Sequence, residues 1–182
     1  MGKVIRFIPL ILFIALGIVL YRGLFLEPQK LPSALVGKTM PAFSLPDLID
    51  SSKTITNTDM GSGIKIINVW ATWCPACRHE HPYLLEMAKS DRYTLIGINY
   101  KDERPLANQW LVKLGDPFAL SIFDADGTLG LDLGVYGAPE TFVIDHHNIV
   151  RKRFAGTLDG RVWEKEFEGL IKQIEQERAR GE

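Results

Sequence analysis

Cys74 and Cys77 are the only cysteines of the chain, and they stand three positions apart where an apolar, β-rich run ends and a helix-like run begins. Thiols at this spacing can close a disulfide with little movement of the backbone. Cys74 falls at the expected helix start, where peptide N–H groups stabilise a thiolate. The pattern predicts a redox-active pair in which an exposed Cys74 attacks a partner disulfide and a buried Cys77 resolves the mixed disulfide.

Zinc binding and a purely structural disulfide are the competing interpretations. A Cys-x-x-Cys pair supplies half of a tetrahedral zinc site, and the nearest further ligands are His79 and His81. Two helical positions turn these side chains about 200° apart, so both cannot reach one ion, and we expect them to face solvent. A disulfide that closes so short a loop constrains the unfolded chain little. We therefore expect no metal and no cofactor other than the disulfide itself.

Glu80 is a candidate catalytic acid because it lies three residues after Cys77, on the same face of the expected helix. A carboxylate there opposes thiolate formation, raises the pKa of the thiol and could relay a proton from Cys77. A less stable thiolate makes the reduced pair a better electron donor. The alternative is a solvated surface glutamate.

Residues 35–182 predict one α/β domain with a mixed sheet. The β-rich runs cover residues 64–70, 94–100, 120–123, 141–144 and 149–154. The first of them is almost continuously apolar, as in a central strand buried on both faces. A C-terminal helix is expected over about 161–178. The formal net charge of −1 and the lack of a basic run give no support for nucleic-acid binding.

The N-terminal run predicts a transmembrane anchor over residues 7–26, after a cytoplasmic tail at 1–6 and before a tether at 27–34. Residues 7–21 carry no charge, and a helix of about 20 residues spans about 30 Å, the thickness of the hydrocarbon core of a bilayer. Arg22, near the end of the run, can extend its charge to the headgroups.

A cleaved signal peptide is the alternative, since Lys3 and Arg6 precede the apolar run. The region where cleavage would fall lacks a small-x-small pair and holds bulky residues instead: Leu20, Tyr21, Leu24 and Phe25. An uncleaved anchor is therefore favoured. Positive charges flank both ends of the run, so the positive-inside rule decides little. The short tail and the large following domain favour a cytoplasmic N-terminus with the domain outside.

Three features together resemble the thioredoxin fold, a three-layer α/β sandwich: Trp-Cys-Pro-Ala-Cys at 73–77 after a buried strand, Pro82 in the following helix, and Gly-Ala-Pro at 137–139 before a strand. Longer strings carry a narrower resemblance: Trp-Cys-Pro-x-Cys-Arg-x-Glu-His at 73–81, Asn-Tyr-Lys-Asp at 99–102 and Gly-Val-Tyr-Gly-Ala-Pro-Glu-Thr at 134–141. These strings resemble the DsbE/CcmG family, membrane-anchored thiol-disulfide oxidoreductases of cytochrome c maturation. The similarity covers nearly the entire chain.

The resemblance implies a reductant on the periplasmic side of the bacterial inner membrane, held to the lipid bilayer by one N-terminal helix. Members of the family keep the haem-attachment cysteines of apocytochrome c reduced, directly or through a CcmH-type dithiol protein. They are themselves reduced again by a transmembrane electron donor of the DsbD type.

The resemblance also implies roles for residues around the dithiol. Pro139 is similar to the family's cis-proline, which packs against the dithiol and leaves the backbone of Ala138 free to pair with a substrate strand. Glu140 is implied as a second acid near the thiols. Trp73 and Tyr136 are candidates for a rim that binds the partner, with packing into the core as the alternative.

Three other functions fit parts of the sequence. A disulfide oxidase or isomerase on the same fold would need a strongly stabilised reduced state, but Pro75 and Ala76 between the cysteines supply no positive charge. A thiol peroxidase would have a threonine three residues before its nucleophile, where this chain has Ala71. A non-catalytic binding module would keep its function without either cysteine.

Overall fold

The computed structural model describes residues 7–23 and 35–181. In chain order its elements are α1 (Ile8–Gly23), β1 (Ser44–Pro46), β2 (Thr54–Thr56), a 3-10 turn (Asn57–Met60), β3 (Lys65–Trp70), α2 (Pro75–Met87), β4 (Thr94–Tyr100), α3 (Arg104–Leu114), β5 (Leu120–Asp124), α4 (Thr128–Asp132), β6 (Glu140–Ile144), β7 (Val150–Ala155), α5 (Gly160–Glu166) and α6 (Glu168–Arg180). Contacts separate α1, as one unit, from the remaining elements, which form a second unit.

The helix α1 has 16 residues and carries one basic side chain, Arg22, in its last turn. Within the described part of the chain, no helix combines the length and the apolar character needed to cross a bilayer. The predicted tail at 1–6, the last three residues of the predicted anchor (24–26) and the predicted tether at 27–34 lie outside the described residues.

The second unit is built on a five-stranded sheet with the order β5-β4-β3-β6-β7. The strands β3, β4 and β5 run parallel, whereas β6 is antiparallel to β3 and β7 is antiparallel to β6. Every residue of β3 is buried, as its apolar run predicts. The thioredoxin-like fold with a mixed sheet is therefore confirmed. The short β1 and β2 form a separate antiparallel pair.

Helices cover one face of the sheet, and shorter segments cover the other. The strands β3, β4 and β5 follow one another in one direction across the sheet. Their right-handed crossover connections therefore place α2 and α3 on the same face. The helix α6 packs with α2 on this face. The other face of β3 presents Ile67 and Val69, which pack with α4 and with Met40, Ile55 and Met60. Alternate residues of β3 thus serve two separate cores, and the dithiol at its end lies on the helical side.

The C-terminal helix differs from its prediction. The pattern predicts one helix over about 161–178, but the chain forms α5 and α6 with a break at Phe167, whose φ of −118° departs from the helical value. The Phe167 ring is fully buried, with its centre 5.2 Å from that of Trp163 and 5.6 Å from that of Phe154. The break accompanies a tertiary contact, which a helical pattern cannot reveal.

Replacing Phe167 by alanine should lower the free energy of unfolding by about 3 to 5 kcal/mol, because a fully buried ring is removed and leaves a cavity. The measurement is urea unfolding of the oxidised protein. The control is Val112→Ala at a side chain of α3 that is 88% exposed, for which we expect a change within about 0.5 kcal/mol. Equal losses in the two variants would contradict this assignment of Phe167 to the core.

Candidate active site

The dithiol sits at the junction between β3 and α2. Cys74 is the N-cap of α2, and its Sγ accepts the backbone N–H of Cys77 at 3.0 Å. Pro75 occupies the first turn, where a missing N–H removes no helical hydrogen bond. The two sulfurs are bonded at 2.11 Å. The predicted placement of Cys74 at a helix end, with a peptide N–H directed at its sulfur, is confirmed.

The expected exposure of Cys74 is wrong for this disulfide form. Cys74 is 3% exposed and Cys77 is 2% exposed. Both pack in one cluster with Trp70 of β3 and with Ala107 and Trp110 of α3. The sequence marks the start of α2, but it does not show that α3 packs beside the sulfurs. Cys74 is thus almost fully covered in the disulfide form.

Glu80 lies in the core and not at the solvated surface, because only 1% of the residue is exposed. Its Oε1 accepts a hydrogen bond from Asn68 Nδ2 at 2.9 Å, and its Oε2 accepts one from the backbone N–H of Leu158 at 2.7 Å. Burial raises the pKa of Glu80 to about 7, and these two hydrogen bonds oppose the rise. A carboxyl group that shares a helix face with Cys77 and titrates near neutral pH is suited to carry a proton.

Glu140 is buried and fully engaged in a different network. Its carboxylate forms two hydrogen bonds with the guanidinium of Arg153, at 2.7 and 3.0 Å. It also accepts the backbone N–H groups of Tyr136 at 2.8 Å and Gly137 at 3.3 Å. These contacts fix the loop that carries the cis bond between Ala138 and Pro139. The role of Glu140 as a second acid near the thiols stays a prediction.

The two predicted rim residues are exposed and so do not belong to the core. Tyr136 is 77% exposed and Trp73 is 52% exposed. The indole N–H of Trp73 donates to the carbonyl of Lys101 at 2.9 Å, and the guanidinium of Arg153 lies 4.7 Å from the ring centre of Tyr136. Each aromatic ring is thus held in place while one surface stays open to a partner.

The expectation that both helix histidines face solvent is correct for His79 and wrong for His81, which is 4% exposed. His81 Nε2 lies 3.0 Å from the carbonyl oxygen of Gly115, and its Nδ1 accepts the indole N–H of Trp110 at 3.4 Å. The sequence does contain a signal for this burial, because His81 follows Cys77 by four residues and so lies on the same buried face of α2. His81 joins the dithiol helix to the end of α3.

Asp102 also supports the site and was not among the predicted site residues. Its carboxylate accepts the backbone N–H and the hydroxyl of Thr72, both at 2.6 Å, and the side-chain amide of Asn99 at 2.9 Å. It therefore fixes the turn that leads into Cys74. Asn99 and Asp102 belong to one of the strings that carry the family resemblance, and this string is the signal that could have identified them.

A dithiol at a helix N-cap, at the end of a central strand and beside a cis-proline loop, defines a thioredoxin-fold thiol-disulfide oxidoreductase. The Redoxin family model matches residues 35–171. The thiol:disulfide interchange protein DsbE of Pseudomonas aeruginosa is 47% identical over 96% of both chains. The DsbE protein of Escherichia coli K12 is 45% identical over 98% of this chain and all of its own length.

Among solved structures, a DsbF homologue from Corynebacterium diphtheriae matches with a TM-score of 0.64 and 23% identity, over 84% of this chain and 97% of that one. This match shows a shared fold. The near full-length sequence matches show more, and the chain belongs to the DsbE family of thiol:disulfide interchange proteins, which is built on a Redoxin domain.

Replacing Glu80 by glutamine should change how stability depends on pH. Because the folded protein raises the pKa of Glu80 from 4.5 to about 7, the protonated acid contributes stability below pH 4.5 that is lost as the pH rises through 7. The resulting decrease in the free energy of unfolding is on the order of 3 kcal/mol. The free energy of unfolding, measured in urea at pH 5 and at pH 8, should differ less between the two pH values in Glu80→Gln than in the wild type.

The matched control is Glu86→Gln, at an exposed position of the same helix. This variant should keep the wild-type difference between pH 5 and pH 8. A Glu80→Gln protein with the full wild-type pH dependence would contradict the assignment of a raised pKa to this carboxyl.

Proposed function

We propose that this protein is a membrane-anchored reductant of cytochrome c maturation, with the domain from residue 35 on the periplasmic side of the bacterial inner membrane. It reduces the haem-attachment cysteines of apocytochrome c, or a CcmH-type dithiol protein that acts on them, and takes its electrons from a DsbD-type transmembrane donor. The observation that carries the proposal is the buried, titratable carboxyl of Glu80 on the dithiol helix.

The reaction begins with the reduced pair. The Cys74 thiolate attacks one sulfur of the partner disulfide, and the other partner sulfur leaves as a thiolate that takes up a proton. Cys77 then loses its proton to Glu80 and attacks Cys74 Sγ, which breaks the mixed disulfide and releases the second partner thiol. Two electrons pass to the partner, and the Cys74–Cys77 disulfide remains on this chain.

The direction of electron flow follows from the charges around the sulfurs. An ionised Glu80 disfavours a nearby thiolate, and Pro75 and Ala76 add no compensating positive charge. A destabilised reduced form has a lower potential and gives its electrons away more readily. The same reasoning disfavours an oxidase, which needs a stabilised reduced form.

The cis-proline loop supports the proposed binding of a partner strand. Glu140 and Arg153 hold this loop in one conformation, and Ala138 within it is half-buried. In this proposal a partner peptide pairs with the Ala138 backbone and contacts the exposed rings of Trp73 and Tyr136. A small rim of this kind suits several partners in turn.

The N-terminal apolar run supports anchoring to the bilayer. Residues 7–21 are uncharged, and the described helix within this run has one charged side chain, Arg22, at its end. We infer a single span over residues 7–26 that keeps the dithiol near the membrane-bound donor and the site of haem attachment.

Replacing Cys77 by alanine should trap partners as mixed disulfides, because Cys74 can attack but no resolving thiol remains. We expect the trapped complexes to contain cytochrome maturation proteins. As a test of the membrane anchor, we expect the chain itself to remain in membranes washed with alkali. The control Cys74→Ala should trap nothing by this route. Broad capture of unrelated exported proteins, together with a high midpoint potential of the wild type, would indicate an oxidase and contradict the proposal.

Replacing Glu80 by glutamine should make the couple more oxidising, because a negative charge that opposes the thiolate is removed. The expected rise in midpoint potential is on the order of 30 mV, which corresponds to about 1.4 kcal/mol for two electrons. Equilibration against thiol-disulfide buffers measures it. Glu86→Gln should leave the potential unchanged, whereas an unchanged or lower potential in Glu80→Gln would count against this role.

A further inference from the structure

A cationic pocket lies beside the dithiol, and the exchange reaction does not use it. The cavity has a volume of about 440 Å³, and its walls include Trp73, Arg78, Leu106, Trp110 and Lys113. Trp73 directly precedes Cys74, and Arg78 directly follows Cys77. The indole of Trp110 packs in the same cluster as the two cysteines. A polypeptide whose cysteine reaches Cys74 must therefore bring its flanking residues close to this pocket.

The pocket combines two cationic side chains with an aromatic floor. The guanidinium carbon of Arg78 lies 4.1 Å from the ring centre of Trp110, so it rests over the indole. Arg78 and Lys113 are both exposed. Neither forms an ion pair with any residue in the described ranges 7–23 and 35–181. Both charges are thus available to an outside carboxylate.

One acid close in sequence to the pocket, Asp102, is already engaged. Asp102 accepts hydrogen bonds from Thr72 and Asn99 and also from the backbone N–H of Glu103 at 2.8 Å. Its carboxylate is held towards the turn before Cys74. The charged residues of the pocket wall are Arg78 and Lys113, so the wall carries positive charge although the whole chain has a formal net charge of −1.

We propose that this pocket binds an acidic side chain that flanks the reactive cysteine of the partner polypeptide. The carboxylate would accept hydrogen bonds from Arg78 and Lys113, and the apolar part of the same segment would pack on Leu106 and Trp73. The inference rests on the proposed function and adds a preference among partners. Charge complementarity of this kind mainly increases the rate of productive encounter.

The test uses the reduced full chain in detergent and three synthetic peptides. The peptides share a Cys-Ala-Ala-Cys disulfide and differ only two positions outside each cysteine, where they carry Asp, Asn or Lys. The measured quantity is the second-order rate constant of peptide reduction. At low ionic strength the Asp peptide should react about tenfold faster than the Asn peptide, and added salt should reduce this ratio.

Two variants and one control locate the effect. Lys113→Glu should reverse the preference, so that the Lys peptide reacts faster than the Asp peptide, and Arg78→Gln should weaken the preference for Asp. The control Lys38→Glu makes the same charge change at an exposed lysine beside β7, on the opposite edge of the sheet from β5. It should keep the wild-type ratio.

Equal rates for the three peptides in the wild type would overturn the inference and leave the proposed function standing. A reversal in Lys38→Glu equal to that in Lys113→Glu would also overturn it, because the net charge of the chain would then explain the preference. Failure of the reduced chain to reduce any of the three peptides would contradict the proposed function and this inference together.

Discussion

The hydrogen bond between Asn68 and Glu80 joins the central strand to the dithiol helix, and the chemistry of the site depends on it. Asn68 is buried in the middle of β3, which is enclosed on both faces and paired on both edges. The same strand delivers the chain to Cys74 at its end. The strand and the turn that follows it thus position both the Cys74 sulfur and the Glu80 carboxyl.

The two buried carboxyl groups that were predicted as acids of the site have different partners, and this difference separates what each is suited to do. Glu140 contacts the cationic Arg153, so its negative charge is compensated within the protein. The hydrogen-bond partners of Glu80 are an amide side chain and a peptide N–H, which are neutral. A buried acid with only neutral partners takes up a proton easily. Glu140 is thus suited to hold a loop, and Glu80 is suited to exchange a proton.

The local pattern of the sequence predicts most of the fold. The continuous apolar run of β3, the helix start at Pro75 and the strand at 94–100 all lie where their residues place them, because buried strands and helix caps have strong local signatures. Cys77, His81 and Leu84 also share one buried face of α2 at helical spacing, although His81 was expected to face solvent. These features are local, so a single sequence is enough to predict them.

Long-range packing accounts for what the sequence did not predict. The cover of α3 over Cys74, the break at Phe167 and the burial of Lys65 each depend on residues far away in the chain. Lys65 begins the central strand, is fully buried, and donates to the carbonyl of Asp145 and to the side chain of Asn148. Its acceptors lie about 80 positions later, and no local pattern connects a charged residue with acceptors at that distance.

The ion pair between Glu140 and Arg153 has a consequence for how long a partner stays bound. It ties the loop before β6 to β7, so under the proposed function the loop would enter an encounter already in its bound shape and lose little conformational entropy there. Rapid recognition then needs only a small contact area, and a small contact area allows rapid release. A protein that must pass electrons to one partner and receive them from another benefits from such brief complexes.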